Sequence, residues 1–179
     1  MNDFIELIKI CLKSDSSLIK PVAGVKVKIN LFTRPRRFGK TLTMSMLEEF
    51  FDISEDSREI FEGTQIAKNT ELCKKYMNQY PVLFLTLKHA EGLNFESAFE
   101  RLIGLIFDWC ISHTFLKNSK KLDNDDKELF QRFLSKEATK EEVLSCLYHL
   151  SRMLSNHYGK KVIILIDEYD VPLAQANEN

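Results

Sequence analysis

The chain has no acidic residue from Ser16 to Leu47, although Asp and Glu supply 26 of its 179 residues. Lys20, Lys26, Lys28, Arg34, Arg36, Arg37 and Lys40 all fall within that stretch, so a balanced net charge of −1 conceals a strongly positive segment. Such a segment suits a triphosphate, and the same field would attract nucleic acid. Lys26 and Lys28 read better as the solvated edge of a strand. Arg36 and Arg37 sit in a loop, where two guanidiniums suit a nucleotide or an acidic partner chain. Neither a recognition helix nor an aromatic platform accompanies the basic stretch, and a nucleic-acid-binding module rests on charge alone.

Cysteines are few and far apart: Cys11, Cys73, Cys110 and Cys146 form no C-x-x-C pair, which argues against a zinc site or a disulfide framework. They read as reduced thiols that at least partly face a core. His89, His113, His149 and His157 form no H-E-x-x-H or comparable ligand set and read as helix-surface or packing residues. Long hydrophobic runs are missing too. Residues 4–12 are interrupted by Glu6 and Lys9 and follow an acidic start, so they suit an amphipathic helix rather than a signal peptide or a membrane span. No internal repeat or low-complexity linker breaks the order. With 44% hydrophobic and 28% charged residues, the chain suits one soluble α/β domain of cytoplasmic type, not two compact domains.

What is present is a strand, a basic loop and a helix in succession. Val25–Phe32 alternates apolar and polar residues and then becomes wholly apolar, as a strand entering a sheet does. Leu42, Met46, Leu47, Phe50 and Phe51 follow at helical spacing. Between them stand Arg34, Pro35, Arg36, Arg37, Phe38, Gly39, Lys40 and Thr41, where a phosphate-binding loop belongs. A helix starting at Lys40 points unpaired N–H groups and its positive end at the loop. Lys40 would reach the β- and γ-phosphates, and the Thr41 hydroxyl would ligate magnesium. The first glycine of G-x-x-x-x-G-K-[ST] is missing, its place taken by Arg34. An ordinary strand-to-helix turn is the alternative reading.

A second signature closes the chain. Val162–Ile166 is a continuous β-branched and leucine run, as in a central strand buried on both faces, and Asp167-Glu168 follows at once. A carboxylate at the C-terminal end of such a strand lies where open α/β sheets bind ligands. Asp167 would hold magnesium, largely through water, and Glu168 would polarise the attacking water. Solvated residues past a strand end are the plain alternative. Between the signatures, residues 80–87 read as a strand with its proline at the beginning, and Asn94 caps a helix whose stripe runs from Phe95 to Cys110. Asp123 or Asn124 caps a shorter helix with Leu129, Phe130, Phe133 and Leu134. Thr139-Lys140-Glu141-Glu142 is a capping box opening one helix that stops near Gly159.

Residues 33–42 and 159–170 together resemble the paired signatures of the bacterial AAA-ATPase-like family. Phe61-Glu62-Gly63, Ile66-Ala67 and residues 80–85 are similar as well, and the arginine-rich loop is that family's own form. The likeness extends from about Leu31 onward. Upstream, Ser14–Lys20 offers an Asp and a hydroxyl residue of the family's segment, with Ser16 in place of its lysine. The resemblance implies a P-loop ATPase often carrying a C-terminal nuclease-like domain of the PD-(D/E)XK type, of which this chain would be the N-terminal part.

The resulting expectation is an α/β P-loop NTPase with a three-layer α/β/α core and a parallel sheet, truncated after the strand carrying Asp167. Residues 1–24 would be a helical lead-in and residues 25–179 the core. ATP and Mg²⁺ are the expected ligands, with water attack on the γ-phosphate aided by Glu168. Asp167-Glu168-Tyr169-Asp170 lacks the Asp-x-x-Gly of GTPases; a small-molecule kinase would instead use Glu168 on a substrate hydroxyl. A nucleotide-dependent switch with little turnover, controlling a partner or nuclease-like domain, is the second reading. With no later strand between the phosphate-loop strand and the Asp167 strand, the chain would be marginally stable and nearly inactive as an ATPase.

Overall fold

The computed structural model describes residues 19–21, 30–32, 39–88 and 95–168. It divides into two compact units, Met1–Tyr80 and Pro81–Asn179.

In the first unit, β1 (Ile19–Pro21) pairs antiparallel with β2 (Asn30–Phe32), placing Lys20 opposite Leu31. Two expectations change here. Ile19–Pro21 is a strand within the stretch read as a helical lead-in, and among the described residues the pairing of β2 is antiparallel, where a parallel sheet was expected. The intervening residues 22–29 are too few for a parallel crossover, which takes roughly a dozen or more. The rest of the expected strand, 25–29, lies outside the described residues, as do residues 4–12.

Helix α1 (Lys40–Phe51) buries Thr43, Met44, Leu47, Phe50 and Phe51. Its buried stripe is therefore rotated from the expected one. Leu42 is 66% exposed and Met46 only half-buried, because at about 100° per residue Leu42 falls far round the helix from Leu47 and opposite Phe51. Helix α2 (Arg58–Phe61) and a 3₁₀ turn at Ile66–Lys68 bury Phe61 and Ile66. The Phe50 ring meets Phe51 edge-on at 5.2 Å and Phe61 at 5.3 Å. Helix α3 (Thr70–Tyr76) is capped by Asn69, whose side chain accepts from the Leu72 N–H. The chain then returns past the end of α1: Tyr80 bridges Asp52, and its ring lies 6.3 Å from that of Phe51.

The second unit begins with β3 (Val82–Thr86), its proline just ahead of the strand as expected. Helix α4 (Phe95–Ser112) follows, then a 3₁₀ turn at Thr114–Asn118 and α5 (Asn124–Ser135). Asp123 is the α5 cap, accepting from the Asp126 N–H at 2.7 Å; Asn94 lies outside the described residues. The Thr139 capping box is present, with Thr139 and Glu142 each accepting from the other's backbone N–H. The helix it opens is not continuous, however. It forms α6 (Lys140–Leu144) and α7 (Cys146–Tyr158), separated at Ser145. Ser145 Oγ donates to the Glu141 carbonyl, a back-bond that competes with the helical ladder and bends helices. Gly159, at φ 68°, ends α7 as expected.

Strand β4 (Ile163–Asp167) runs parallel to β3, with Val82 opposite Ile163 and Thr86 opposite Asp167. Leu83 and Leu85 enter a core with Ile106, Trp109, Cys110, Phe130, Phe133, Leu150 and Met153, so α4, α5 and α7 cover that sheet face. Cys110 and Cys146 are buried free thiols, as read from their spacing; burial pushes Cys110 up to about 12. Cys73 is half-buried. Strand β4 is less enclosed than its apolar run suggests: Leu165 is buried but Ile164 is 43% exposed. Among the described residues its only ladder partner is β3, and apolar character alone does not report which edge is paired.

Candidate functional site

The residues expected to act on a nucleotide belong to the two separate units, and each half has its own geometry. In the first, Gly39 caps α1 in the left-handed region at φ 71°, ψ 28°. A Cβ there would meet nothing within 4 Å, so the dihedral angle and not lack of room calls for glycine. The Gly39 carbonyl accepts from the Thr43 N–H at 2.9 Å, which starts the helical ladder. No side chain caps α1 and its first turn holds no acid. Among the described residues, the cap and first turn of α1 thus offer no acidic side chain to the positive end of the helix dipole at Lys40 and Thr41. Lys40 is half-buried and Thr41 exposed. Arg34, Pro35, Arg36, Arg37 and Phe38 lie outside the described residues, as do the Lys26 and Lys28 side chains.

In the second unit, strand β4 carries Asp167 to its C-terminal end, beside the end of β3. The Asp167 backbone extends the ladder one step, its carbonyl accepting from the Leu87 N–H at 2.9 Å. Asp167 is 5% exposed. One carboxylate oxygen, Oδ1, accepts from the Glu168 N–H at 3.0 Å. The other, Oδ2, is buried and has no hydrogen-bond partner among the described residues. A buried carboxylate oxygen with no donor is costly unless something positive reaches it. Glu168 stands in the left-handed region at φ 57°. A non-glycine residue is uncommon there, and strained positions of this kind cluster at functional sites. Glu168 is half-buried, next to the Asp167 carboxylate that its N–H holds. Tyr169 and Asp170 lie outside the described residues.

Magnesium fits this arrangement. It commonly takes one or two carboxylates, with phosphate and water oxygens completing the octahedron. The unpaired Oδ2 of Asp167 supplies such an oxygen, and among the described residues no cluster of three acidic, histidine or cysteine side chains offers a closed all-protein cage. The ladder also brings in a residue that motif reading passed over. Thr86 is the register partner of Asp167. The only signal in the sequence was a polar residue near the end of an otherwise apolar strand.

His89 lies outside the described residues. His113 stacks on Trp109 with ring centroids 3.8 Å apart, and its Nδ1 lies 2.9 Å from the Trp109 carbonyl. His157 meets Ser119 Oγ at 2.8 Å, and partial burial, with Lys121 nearby, lowers its pKa. No described helix is long and apolar enough to cross a membrane.

A family model described as predicted AAA-ATPase matches residues 14–179, and the chain belongs to that family. No curated protein and no solved structure matches it.

Proposed function

We propose that this family member is a P-loop ATPase core that binds Mg·ATP and hydrolyses it with Glu168 as the general base. The observation that carries the reading is the buried, unpaired Oδ2 of Asp167 at the C-terminal end of a parallel strand. An unpaired carboxylate oxygen is expensive to maintain in a structural residue and useful in a cation ligand.

In this reading, the open N-terminus of α1 and the loop of Arg34, Pro35, Arg36, Arg37, Phe38 and Gly39 receive the phosphates. Lys40 binds the β- and γ-phosphates as a point charge, and Thr41 contributes its hydroxyl to the magnesium. Magnesium, when bound, neutralises charge on the phosphates. Asp167 holds it through the carboxylate edge that the Glu168 N–H leaves free. Glu168, beside it, accepts the proton of the water attacking the γ-phosphorus as the bond to the β,γ-bridging oxygen breaks. ADP and inorganic phosphate are the products.

Equilibrium titration of a fluorescent ATP analogue, with and without magnesium, tests the reading. Wild-type protein binds, Lys40→Ala weakens binding by at least roughly tenfold, and Asp167→Asn selectively weakens the magnesium-dependent part. Affinity unchanged in Lys40→Ala overturns the phosphate-loop assignment. Magnesium dependence unchanged in Asp167→Asn overturns the cation assignment.

A further inference from the structure

Two stretches of the second unit lack acidic residues, and the fold joins them. Residues 109–122 carry Lys117, Lys120 and Lys121, and residues 143–166 carry Lys160 and Lys161 just past the end of α7. Lys121 Nζ donates to the His157 carbonyl at 2.7 Å, and Ser119 Oγ lies 2.8 Å from His157 Nδ1. Ser119 Oγ also accepts the Lys121 N–H at 3.3 Å, so the turn that presents Lys120 and Lys121 is tied to α7. Lys117, Lys120, Lys121 and Lys161 are exposed. Lys160 and Lys161 precede β4 and Asp167 ends it; the two ends of that strand are roughly 13 Å apart, at about 3.3 Å per residue.

A helix C-terminus attracts cations, and Lys121 by itself serves that purpose at α7. The other lysines add like charge to the same end of the unit, which favours an anionic partner. Asp123, the first acid after the loop, has Oδ1 engaged by the Asp126 N–H. Among the lysines stands Phe115, 38% exposed, its ring 5.7 Å from that of His113, 5.0 Å from His157 and 6.1 Å from Tyr158. A ring braced by other rings and still open to solvent is a stacking platform.

We propose that this surface binds single-stranded nucleic acid, its lysines taking the phosphates and Phe115 stacking against a base. Charge complementarity selects a polyanion, and the exposed ring selects among polyanions. A base presents a π-face to that ring, which an acidic peptide lacks. A duplex keeps its base faces inside the stack, so a single strand is the form that fits. The surface lies at the other end of β4 from Asp167, and the inference does not depend on the Mg·ATP reading.

The test is fluorescence anisotropy of labelled oligothymidylate and oligouridylate, each roughly 12 nucleotides long, without ATP or magnesium. Wild-type protein should bind, and tighter binding of one oligonucleotide identifies DNA or RNA as the preferred strand. The double variant Lys117→Gln, Lys120→Gln changes only exposed side chains. It should flatten the slope of log affinity against log salt by about 1.4, the value for two phosphate contacts on a single strand. Phe115→Ala should weaken binding roughly fivefold or more, and Phe115→Trp, which restores a ring, should return it to within about threefold of wild type. Thermal midpoints identify a variant that has lost its fold, and the lysine pair keeps the test decisive if Phe115→Ala does so. Absence of binding overturns the proposal. Binding that neither the lysine pair nor Phe115 alters lies elsewhere on the chain and overturns it too. Competition by polyglutamate as strong as by unlabelled oligonucleotide, with no effect of Phe115→Ala, marks a surface for acidic peptides and also overturns it.

Discussion

Asn78 accepts the Ser57 N–H at its Oδ1, 3.0 Å away, while its own Nδ2 lies 3.2 Å from Ser57 Oγ. The same Nδ2 donates to the carbonyls of Glu49 and Asp52, and the Asn78 N–H donates to the Phe50 carbonyl. One side chain thus satisfies the end of α1 and fastens the following loop to it. Asn78 does so from φ 53°, a left-handed conformation that asparagine tolerates better than most residues.

Replacing Asn78 with alanine removes these side-chain bonds and leaves a residue poorly suited to φ 53°. The expected loss is about 3 kcal/mol, the size seen when buried polar groups are left unpaired. Asn78→Gly also loses the bonds but accepts the dihedral angle, and should be about 1 kcal/mol less destabilising than Asn78→Ala. Urea denaturation of the three proteins measures both differences. Identical midpoints for alanine and wild type would refute the importance of this node.

Glu48 provides a pH dependence. Its carboxyl is pushed up to about 7, first by partial burial and then by the nearby Asp52, Glu49 and Glu55. Because the folded value lies above that of the unfolded chain, the folded state binds this proton more tightly. The resulting stability is full below about pH 4.5 and is lost as pH rises through about 7. Between pH 6 and 8.5 the wild type should lose stability that Glu48→Gln retains, by roughly 1 kcal/mol after allowing for solvent screening of a half-exposed group. Thermal melts across that range decide it, and parallel pH profiles for the two proteins would contradict the assignment.

Between α5 and α7, Arg152 Nη2 is paired with Asp126 Oδ1, and the Asp126 side chain is 1% exposed. Removing only the cation strands a buried carboxylate, so Arg152→Met should cost about 3 kcal/mol. The double change with Asp126→Leu removes the stranded charge and should recover a large part of that loss. A double-mutant cycle by chemical denaturation reads the coupling directly. Additive losses would mean the pair is not coupled.

Hydrolysis isolates Glu168. With protein in excess over ATP, Glu168→Gln should keep nucleotide affinity and slow cleavage roughly 10²-fold or more, the usual size of a general-base contribution. Single-turnover quench experiments provide that rate. Equal rates would reduce Glu168 to a structural residue, whereas binding without turnover in the wild type would favour a nucleotide-dependent switch.

The sequence by itself was sufficient for features governed by local chemistry. Thr139 with Glu142, Asp123, Gly159 and Gly39 declare helix ends through side-chain oxygens that reach nearby N–H groups or through freedom at positive φ. The apolar runs announced β3 and β4, and Asp167-Glu168 was visible as an acidic pair at a strand end. Tertiary structure decided what depends on distant partners. Which stripe of α1 is buried depends on Phe61 and Tyr80 returning against Phe50 and Phe51, so the exposure of Leu42 could not be read from periodicity. The antiparallel pairing of β2 and the exposure of Ile164 likewise follow from pairing and packing choices that no local pattern encodes. Most consequential is the ladder between residues 82–86 and 163–167. Only a specific register places Thr86 opposite Asp167, and a shift of one residue would turn one of them to the other face.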